Sequence, residues 1–377
     1  MKTKYFTFGE TALDDNFIDR TKETARLTTN LENGINTILV SPRRWGKSSL
    51  VEKVARSINK NSKDIKVVLM DAFLCRDDVE FLKTFSTEVI KQTSTKWEEW
   101  ANNAKHFLSG LGPKISFGSD PVADFSIALD YSDKELTMRE VLDLPQKIAQ
   151  KHKCSVVVCI DEFQQIAEFS GSLDFQKKLR SYWQRQDSVS YCLYGSKKHI
   201  LTKMFSKQSM PFYKFGDMIF LKKIETAYWI DYITRQFKLS GKQISEEYAA
   251  KICETVENHS SYVQQLAWLV WLNTDSVVDE ISFEEGLKDL LQQSSALFYR
   301  YLDSLTQYQI NFLNALSDGV NSEFTKTATL TKYNLGTASN IKRIKDALED
   351  KELIDINEKT VSFNDPVFKI WFRKRIS

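Results

Sequence analysis

The chain has 377 residues, of which 42% are hydrophobic and 27% charged, with 52 basic and 50 acidic side chains. This length allows two or three domains with their own cores, and the balanced charge excludes a global field that would attract nucleic acid or membrane. The five cysteines form no CxxC pair, so neither a zinc site nor a disulfide framework is predicted and a reducing cytoplasm is expected. We expect no signal peptide and no membrane span, because no run approaches the ~18 apolar residues that a span needs.

Strand-like and helix-like segments alternate through the first two-thirds of the chain, which predicts an α/β fold with a mostly parallel sheet. The strand candidates are continuous apolar runs, as expected when helices cover both faces of the sheet. They are residues 37–40, 65–71, 155–160, 189–193 and 218–221. Helical periodicity predicts amphipathic helices at 48–60, 138–151 and 173–186. The segment 109–133 contains Gly and Pro, and we expect it to be a loop or a small hairpin.

The pattern becomes helical from residue 225 onward, which predicts a helical lid domain. Its helices are expected at 225–239, 245–258, 262–273 and 282–293. A third unit is expected to begin near Leu297, and three helices followed by a small hairpin in this unit form a winged helix-turn-helix pattern. The helices are predicted at 306–317, 325–333 and 337–350, and the strands at 353–356 and 360–363. We therefore predict domains at 1–223, 224–295 and 296–377.

Residues 37–50, TILVSPRRWGKSSL, have the order of a P-loop: a strand, a tight loop and the start of a helix. Backbone N–H groups in such a loop converge on phosphate oxygens, Lys47 would extend to the β- and γ-phosphates, and the Ser48 hydroxyl would ligate Mg²⁺. Ser41 stands where the motif has glycine, although serine lacks glycine's freedom at positive φ. The alternative is a helix that merely begins with Gly-Lys-Ser. The residues predicted to hold the nucleotide here are Ser41, Pro42, Arg43, Arg44, Trp45, Gly46, Lys47, Ser48 and Ser49.

A second element, residues 155–162 with the sequence SVVVCIDE, is an apolar strand that ends in two carboxylates. Ligands gather at the carboxyl ends of parallel strands, so Asp161 and Glu162 are expected beside the P-loop, where a solvated turn is the alternative. Asp161 would orient the Mg²⁺ shell together with Ser48, and Glu162 would polarise the attacking water. Ser196 follows the next strand and would sense the γ-phosphate, unless it only caps the following helix. The predicted catalytic residues are Lys47, Asp161, Glu162 and Ser196.

These motifs resemble those of the archaeal-type ATPases, a branch of the AAA+/STAND P-loop superfamily, over essentially the whole chain. PRRWGKSSL at 42–50 is similar to P-R-R-x-G-K-[ST]-[ST]-L, and the acidic pair and Gly195-Ser196 match two further family elements. NHSSYVQ at 258–264 is similar to G-H-P-Y-Y-[LV]-Q, and NDPVFKIW at 364–371 resembles the ending D-P-x-F-x-x-W. FIDR at 17–20, followed by Glu23, resembles the family's N-terminal F-x-G-R-x-x-E element, with Asp19 where glycine is usual, and this resemblance implies additional contacts to the adenine from Phe17, Ile18 and Arg20.

The resemblance implies an ATP- and Mg²⁺-dependent ATPase core followed by a helical lid and a winged helix, and we expect this assembly to act as a nucleotide-dependent conformational switch. One departure concerns residues 212–215, FYKF, which stand where the family carries L-Y-G-R, so that arginine is absent. A hydrolysis-deficient scaffold stabilised by nucleotide is therefore the alternative function. Candidate arginines for transition-state charge are Arg43, Arg44, Arg180 and Arg185.

The predicted winged helix has a possible DNA-contacting face on its third helix, formed by Asn340, Lys342, Arg343 and Lys345. The tail adds the basic residues Lys369, Arg373, Lys374 and Arg375. Residues 296–377 nevertheless hold 12 basic and 10 acidic side chains, a weaker basic footprint than DNA-binding modules usually show. We expect a protein partner or self-association, keep DNA as the alternative, and expect no membrane partner.

Overall fold

The computed structural model describes residues 5–12, 14–94, 96, 98–117, 120, 125–129, 132–357 and 360–376. The chain forms two compact units. One is Arg20–Lys222, and the other combines Met1–Asp19 with Lys223–Ser377. No helix in these described ranges is long and apolar enough to cross a membrane.

The unit Arg20–Lys222 is built on a five-stranded parallel sheet with the strand order β2-β5-β6-β1-β7. A separate antiparallel hairpin pairs β3 with β4, as expected for part of the segment 109–133. The strands are β1 (Thr37–Val40), β2 (Ile65–Asp71), β3 (Lys114–Ser116), β4 (Ser126–Ala128), β5 (Ser155–Asp161), β6 (Val189–Gly195) and β7 (Asp217–Phe220). All seven residues of β6 are buried, as is expected of a central strand covered on both faces. The predicted α/β fold class is confirmed.

In the described residues of this unit, eight α-helices surround the sheet, and two short 3-10 helices lie at Ser109–Leu111 and Phe163–Glu168. The α-helices are α1 (Thr21–Glu32), α2 (Lys47–Asn61), α3 (Asp78–Thr93), α4 (Glu98–Phe107), α5 (Lys134–Leu142), α6 (Leu144–His152), α7 (Ser172–Trp183) and α8 (Lys198–Ser206). The single helix predicted at 138–151 is wrong, because α5 ends at Leu142 and α6 begins at Leu144, with Asp143 between them. Pro145 lies in the first turn of α6, where a missing backbone N–H costs little, whereas it would break the interior of a longer helix.

The second unit contains, in its described residues, eight α-helices, a 3-10 helix at Asp14–Asn16 and one antiparallel hairpin, around one hydrophobic core. These elements are α9 (Thr226–Leu239), α10 (Glu246–Thr255), α11 (Ser260–Leu272), α12 (Glu280–Asp303), α13 (Gln307–Ser317), α14 (Thr327–Lys332), α15 (Ala338–Asp350), β8 (Ile354–Asn357), β9 (Thr360–Phe363) and α16 (Pro366–Ile376). Helix α12 has 24 residues in all. It continues without a break past position 295, where the lid was predicted to end. The division of this unit into a lid and a winged helix stays a prediction.

Two of the motifs noted in the sequence meet inside this second unit. The hydroxyl of Tyr262, on α11, donates to Asp365 Oδ2 at 2.6 Å. Asp365 Oδ1 accepts the backbone N–H groups of Val367 and Phe368, so this carboxylate also caps the start of α16. Gln264, at the end of the first motif, accepts the Thr7 backbone N–H through its side-chain oxygen at 2.7 Å. These polar residues therefore stabilise the packing of distant chain segments.

The predicted outer face of α15 is only partly exposed, and Asn340 on it is half-buried. Lys342 and Arg343 are exposed, but Lys345 is half-buried, with its ammonium group 5.0 Å from the centre of the Phe324 ring. Burial lowers the pKa of Lys345. In the tail, Lys369 is likewise engaged and pairs with Glu257 at 2.7 Å. The guanidinium of Arg375 lies 4.6 Å from the centre of the Tyr299 ring, so the second unit uses at least three of the predicted basic residues for internal contacts.

Candidate functional site

The connection between β1 and α2 consists of residues 41–46 and ends at Gly46, which caps α2 with a φ of 87°. An added Cβ at Gly46 would meet nothing within 4 Å, so glycine suits this position because of its backbone conformation rather than for lack of space. Arg44 also has a positive φ, of 62°. Ser41 does not, and its side chain is only 1% exposed, with Oγ donating to the Pro42 carbonyl at 3.1 Å. Serine at position 41 therefore causes no backbone strain.

The first residues of α2 face the end of β5. Ser48 Oγ donates to Asp161 Oδ2 at 2.7 Å, so the P-loop and the acidic strand end are in direct contact. Lys47 is buried, and its Nζ donates to the Pro42 carbonyl oxygen at 3.2 Å. An ammonium group beside the N-terminus of a helix strengthens a local positive potential that favours an anion.

The carboxyl group of Asp161 has a raised pKa because it is buried. Burial raises its pKa from the ordinary value of 3.8 to about 6, while hydrogen bonds from Ser48 and the Glu162 backbone N–H act in the opposite direction. A buried carboxylate next to a hydroxyl is a set of hard oxygen donors, which suits Mg²⁺. No cluster of three or more His, Cys, Asp or Glu side chains that could hold a metal occurs in the described part of the chain, so a Mg²⁺ ion would need further ligands from water and phosphate.

Glu162 has a left-handed backbone conformation with a φ of 48°, and its carboxylate turns toward the end of β6. Its Oε2 accepts hydrogen bonds from Ser196 Oγ at 2.9 Å, from the Ser196 backbone N–H at 3.4 Å and from the Gln164 amide. Arg43 Nε donates to Ser196 Oγ at 3.3 Å, which links the P-loop to the same group. The strand order makes this possible, because β6 lies between β5 and β1.

A cavity of about 340 Å³ opens at this edge of the sheet and brings most of the predicted polar residues together. It is lined by Arg43, Arg44, Lys47, Ser48, Asp71, Phe73, Asp161, Glu162 and Ser196. Asp71 and Phe73 were not predicted. The signal for Asp71 was present, since it ends the apolar strand β2 in the same way that Asp161 ends β5, and the two residues are paired in the register.

Arg20 supports the loop from behind. Its guanidinium donates to the carbonyl oxygen of Trp45 at 3.1 Å and to that of Lys222 at 2.6 Å, and it pairs with Glu23 at 3.2 Å. Arg20 is only 3% exposed, and its bond to Trp45 ties it to the P-loop backbone, while its predicted contact with the adenine stays a prediction. Ser49 is buried on α2 behind the cavity lining.

The other predicted residues lie outside this cavity lining. Phe17 and Ile18 belong to the second unit, where Ile18 packs against the hydrophobic core. The guanidinium of Arg180 lies 4.7 Å from the centre of the Phe215 ring, and Arg185 donates to Ser181 Oγ at 3.0 Å. Of the four candidate arginines, the structure therefore places only Arg43 and Arg44 at the cavity.

The strand order, the P-loop and the acidic strand end together define the fold of a P-loop ATPase. Comparison with solved structures agrees. A Walker-type ATPase of Pyrococcus abyssi is similar over 98% of this chain and 100% of its own, with a TM-score of 0.70 and 17% identity. The ORC2 protein of Aeropyrum pernix, in ADPNP–ADP complexes, is similar over 96% of this chain and 97% of its own, with a TM-score of 0.56 and 14% identity. At these identities the likeness establishes the fold alone.

The ORC1 protein of Aeropyrum pernix, solved in complex with DNA, is also similar, with a TM-score of 0.50, 12% identity and coverage of 97% of this chain and 96% of that one. Residues 296–374 match a family described as a probable winged helix domain. No curated protein matches the sequence. The resemblance to archaeal-type ATPases is therefore confirmed at the level of the fold, with a winged helix at the C-terminal end.

Proposed function

We propose that this protein binds ATP with Mg²⁺ and hydrolyses the ATP, and that its nucleotide state switches its conformation. The observation that supports this most directly is the 2.7 Å contact between Ser48 Oγ and Asp161 Oδ2 at the edge of a cavity that Lys47 also lines. A hydroxyl, a carboxylate and an ammonium group converging at a helix N-terminus form the group set that a metal-bound phosphate chain requires.

The residues take the following parts in the proposed reaction. Lys47 would exchange the Pro42 carbonyl for the β- and γ-phosphate oxygens, and Ser48 and Asp161 would hold the Mg²⁺ shell. The ion, when bound, neutralises charge on the phosphates. Glu162 orients the attacking water and takes its proton, while the water oxygen bonds to the γ-phosphorus and the bond to the bridging oxygen breaks with its electron pair on ADP.

The same cavity also contains the arginines that would stabilise negative charge on the phosphates. Arg43 and Arg44 line the cavity and would contact the γ-phosphate, and Ser196, which contacts both Arg43 and Glu162, would sense its presence. ATP is proposed because the structural neighbours include a Walker-type ATPase and a protein solved with ADPNP and ADP.

The test compares wild type with Lys47→Ala and Glu162→Gln, and uses Lys60→Ala as a control that removes an exposed lysine from the last turn of the same helix. We expect Lys47→Ala to weaken ATP binding by at least about tenfold. Glu162→Gln should keep ATP binding but lose about 10²-fold or more in phosphate release, because a general base contributes that much. Lys60→Ala should match wild type. A wild-type protein that neither binds nor hydrolyses ATP would refute the proposal.

A nucleotide-stabilised scaffold without hydrolysis is the second candidate. It is favoured by the sequence at residues 212–215, where Lys214 and Phe215 replace the family's arginine-bearing turn, and by the stacking of Arg180 on Phe215 outside the cavity. This candidate predicts background phosphate release together with a rise in melting temperature on adding ATP. The rise should be shared by Glu162→Gln and absent in Lys47→Ala.

For the partner we propose a protein or a second copy of the chain, with DNA as the alternative. Engagement of Lys345 and Lys369 in internal contacts leaves Lys342 and Arg343 as the exposed basic pair of α15. A dedicated DNA-binding surface usually carries a larger basic patch. We also propose a cytoplasmic location, supported by five free cysteines. Binding of a random duplex that weakens steeply with salt would favour DNA.

A further inference from the structure

Gln164 is a buried polar residue that neither the P-loop motif nor the acidic pair includes. It lies in the 3-10 helix that follows Glu162 and is only 3% exposed. Its side-chain Nε2 donates to Glu162 Oε2. Its Oε1 is buried and, within the described residues, accepts no hydrogen bond. A buried carbonyl oxygen without a donor destabilises the folded state, so packing alone does not explain a glutamine here.

Gly195 provides the space that the Gln164 amide occupies. A Cβ added at Gly195 would lie 1.8 Å from Gln164 Oε1 and 3.4 Å from the Glu162 Cα. The φ of Gly195 is not in the left-handed region, so glycine here makes room for the Gln164 amide rather than serving a special backbone conformation. The end of β6 and the residues after β5 are therefore shaped to admit this one amide group.

The hydrogen bonds of Glu162 indicate what the amide does. The described residues donate three hydrogen bonds to the Glu162 carboxylate, and all three reach the same oxygen, Oε2. One comes from the Gln164 amide, one from Ser196 Oγ and one from the Ser196 backbone N–H. An oxygen that already accepts three hydrogen bonds is a poor acceptor for another proton donor. The carboxylate is thus fixed in one rotation, and Oε1 is its available acceptor.

We propose that Gln164 is a positioning residue for Glu162, which together with Ser196 holds Oε2 and so presents Oε1 to the water that attacks ATP. Gly195 serves the same purpose by making room for the Gln164 amide. This inference rests on the proposed ATPase function and extends it from the catalytic group to the residues that orient this group. Gln164 itself does not touch the nucleotide.

The decisive variant is Gln164→Met, because methionine has a similar length and volume but donates no hydrogen bond. We expect its melting temperature to equal or exceed that of wild type, since the unsatisfied Oε1 is removed. ATP affinity should stay within about twofold, whereas kcat should fall about 10- to 100-fold, as expected when a reacting group loses its orientation. If Gln164 had only a structural role, kcat would be retained in this isosteric variant.

A double-mutant cycle tests the link to Gly195. Gly195→Ala alone should displace the Gln164 amide and lower kcat to the level of Gln164→Ala. In the Gln164→Ala background, Gly195→Ala should lower kcat by at most about a further twofold, because the amide that it displaces is already absent. Independent, multiplicative effects of the two substitutions would overturn the proposed link.

The outcomes separate this inference from the function on which it rests. Absence of phosphate release in wild type would overturn both. Turnover in wild type together with an unchanged kcat in Gln164→Met would overturn the role of Gln164 and leave the ATPase intact. Loss of folding or of ATP binding in Gln164→Met would also overturn it, since the residue would then be structural.

Discussion

The raised pKa of Asp161 predicts that this site makes the nucleotide-free protein less stable at neutral pH than in mild acid. The folded-state pKa is about 6, against an ordinary value of 3.8. Between these two pH values the unfolded chain loses its proton while the folded protein retains it, so the free energy of unfolding falls as the pH rises. The difference between the two pKa values corresponds to a loss of up to about 3 kcal/mol above pH 6.

The substitution Asp161→Asn should remove this loss. Asparagine keeps a carbonyl oxygen for the Glu162 backbone N–H and an amide that can donate to Ser48 Oγ, so the local hydrogen bonds survive. At pH 7.5 the variant should therefore be more stable than wild type by up to about 3 kcal/mol, and at pH 4 by less than about 1 kcal/mol. For a unit of about 200 residues this is a rise in melting temperature of about 6–12 °C at pH 7.5.

The assay is thermal unfolding followed by circular dichroism from pH 4 to 8 without nucleotide, comparing variant with wild type at each pH. Asp217→Asn is a matched control of opposite sign, because the hydrogen bond from Arg26 lowers the pKa of Asp217. That carboxylate stabilises the folded state above its unfolded-state pKa, and its contribution is lost as the pH falls. Asp217→Asn should thus melt below wild type at pH 7.5, with a gap that closes in acid. A pH-independent gap for Asp161→Asn would refute the reasoning.

Three further predictions concern the nucleotide site and the second unit. Binding of ATP·Mg²⁺ at pH 6 should release about half a proton from Asp161, measured by calorimetry in buffers of different ionisation enthalpy, and Asp161→Asn should abolish this release. Ser41→Gly should leave ATP affinity within about twofold and lower stability by about 0.5–1 kcal/mol, because the serine is unstrained; a large gain in affinity would contradict this. Tyr262→Phe should lower the stability of the second unit by about 1 kcal/mol in urea unfolding, through loss of the bond to Asp365, and an unchanged midpoint would argue against that contribution.

The strands of the sheet were predictable because their apolar runs are long and uninterrupted. β1 and β2 have the predicted bounds, and β5 to β7 differ by one or two residues at their ends. Helix ends were harder to predict. The helix predicted to stop at 293 continues as α12 through two serines, and Ser295 Oγ donates to the carbonyl oxygen of Gln292 at 3.0 Å, a local bond that lets serine remain in a helix.

The candidate site was predictable where its residues follow strand ends, since parallel strands collect their carboxyl ends at one edge. This rule found Asp161 and Glu162, and applied to β2 it also identifies Asp71. It could not identify Gln164, because the burial of this amide depends on a glycine some thirty positions away, at the end of another strand. Arg20 was assigned to the adenine by resemblance, whereas its contacts with two backbone carbonyls emerge only from the folded chain.

Helix α12 has a mechanical consequence for the second unit. Its 24 residues span about 36 Å, at about 1.5 Å per residue, and it contributes buried side chains such as Phe283 and Phe298 at both of its ends. An unbroken helix resists bending, so a tilt of about 5° at one end would carry the other end about 3 Å sideways, by the same length. Because α12 is stiff, a small displacement near its first turn would also move the winged helix.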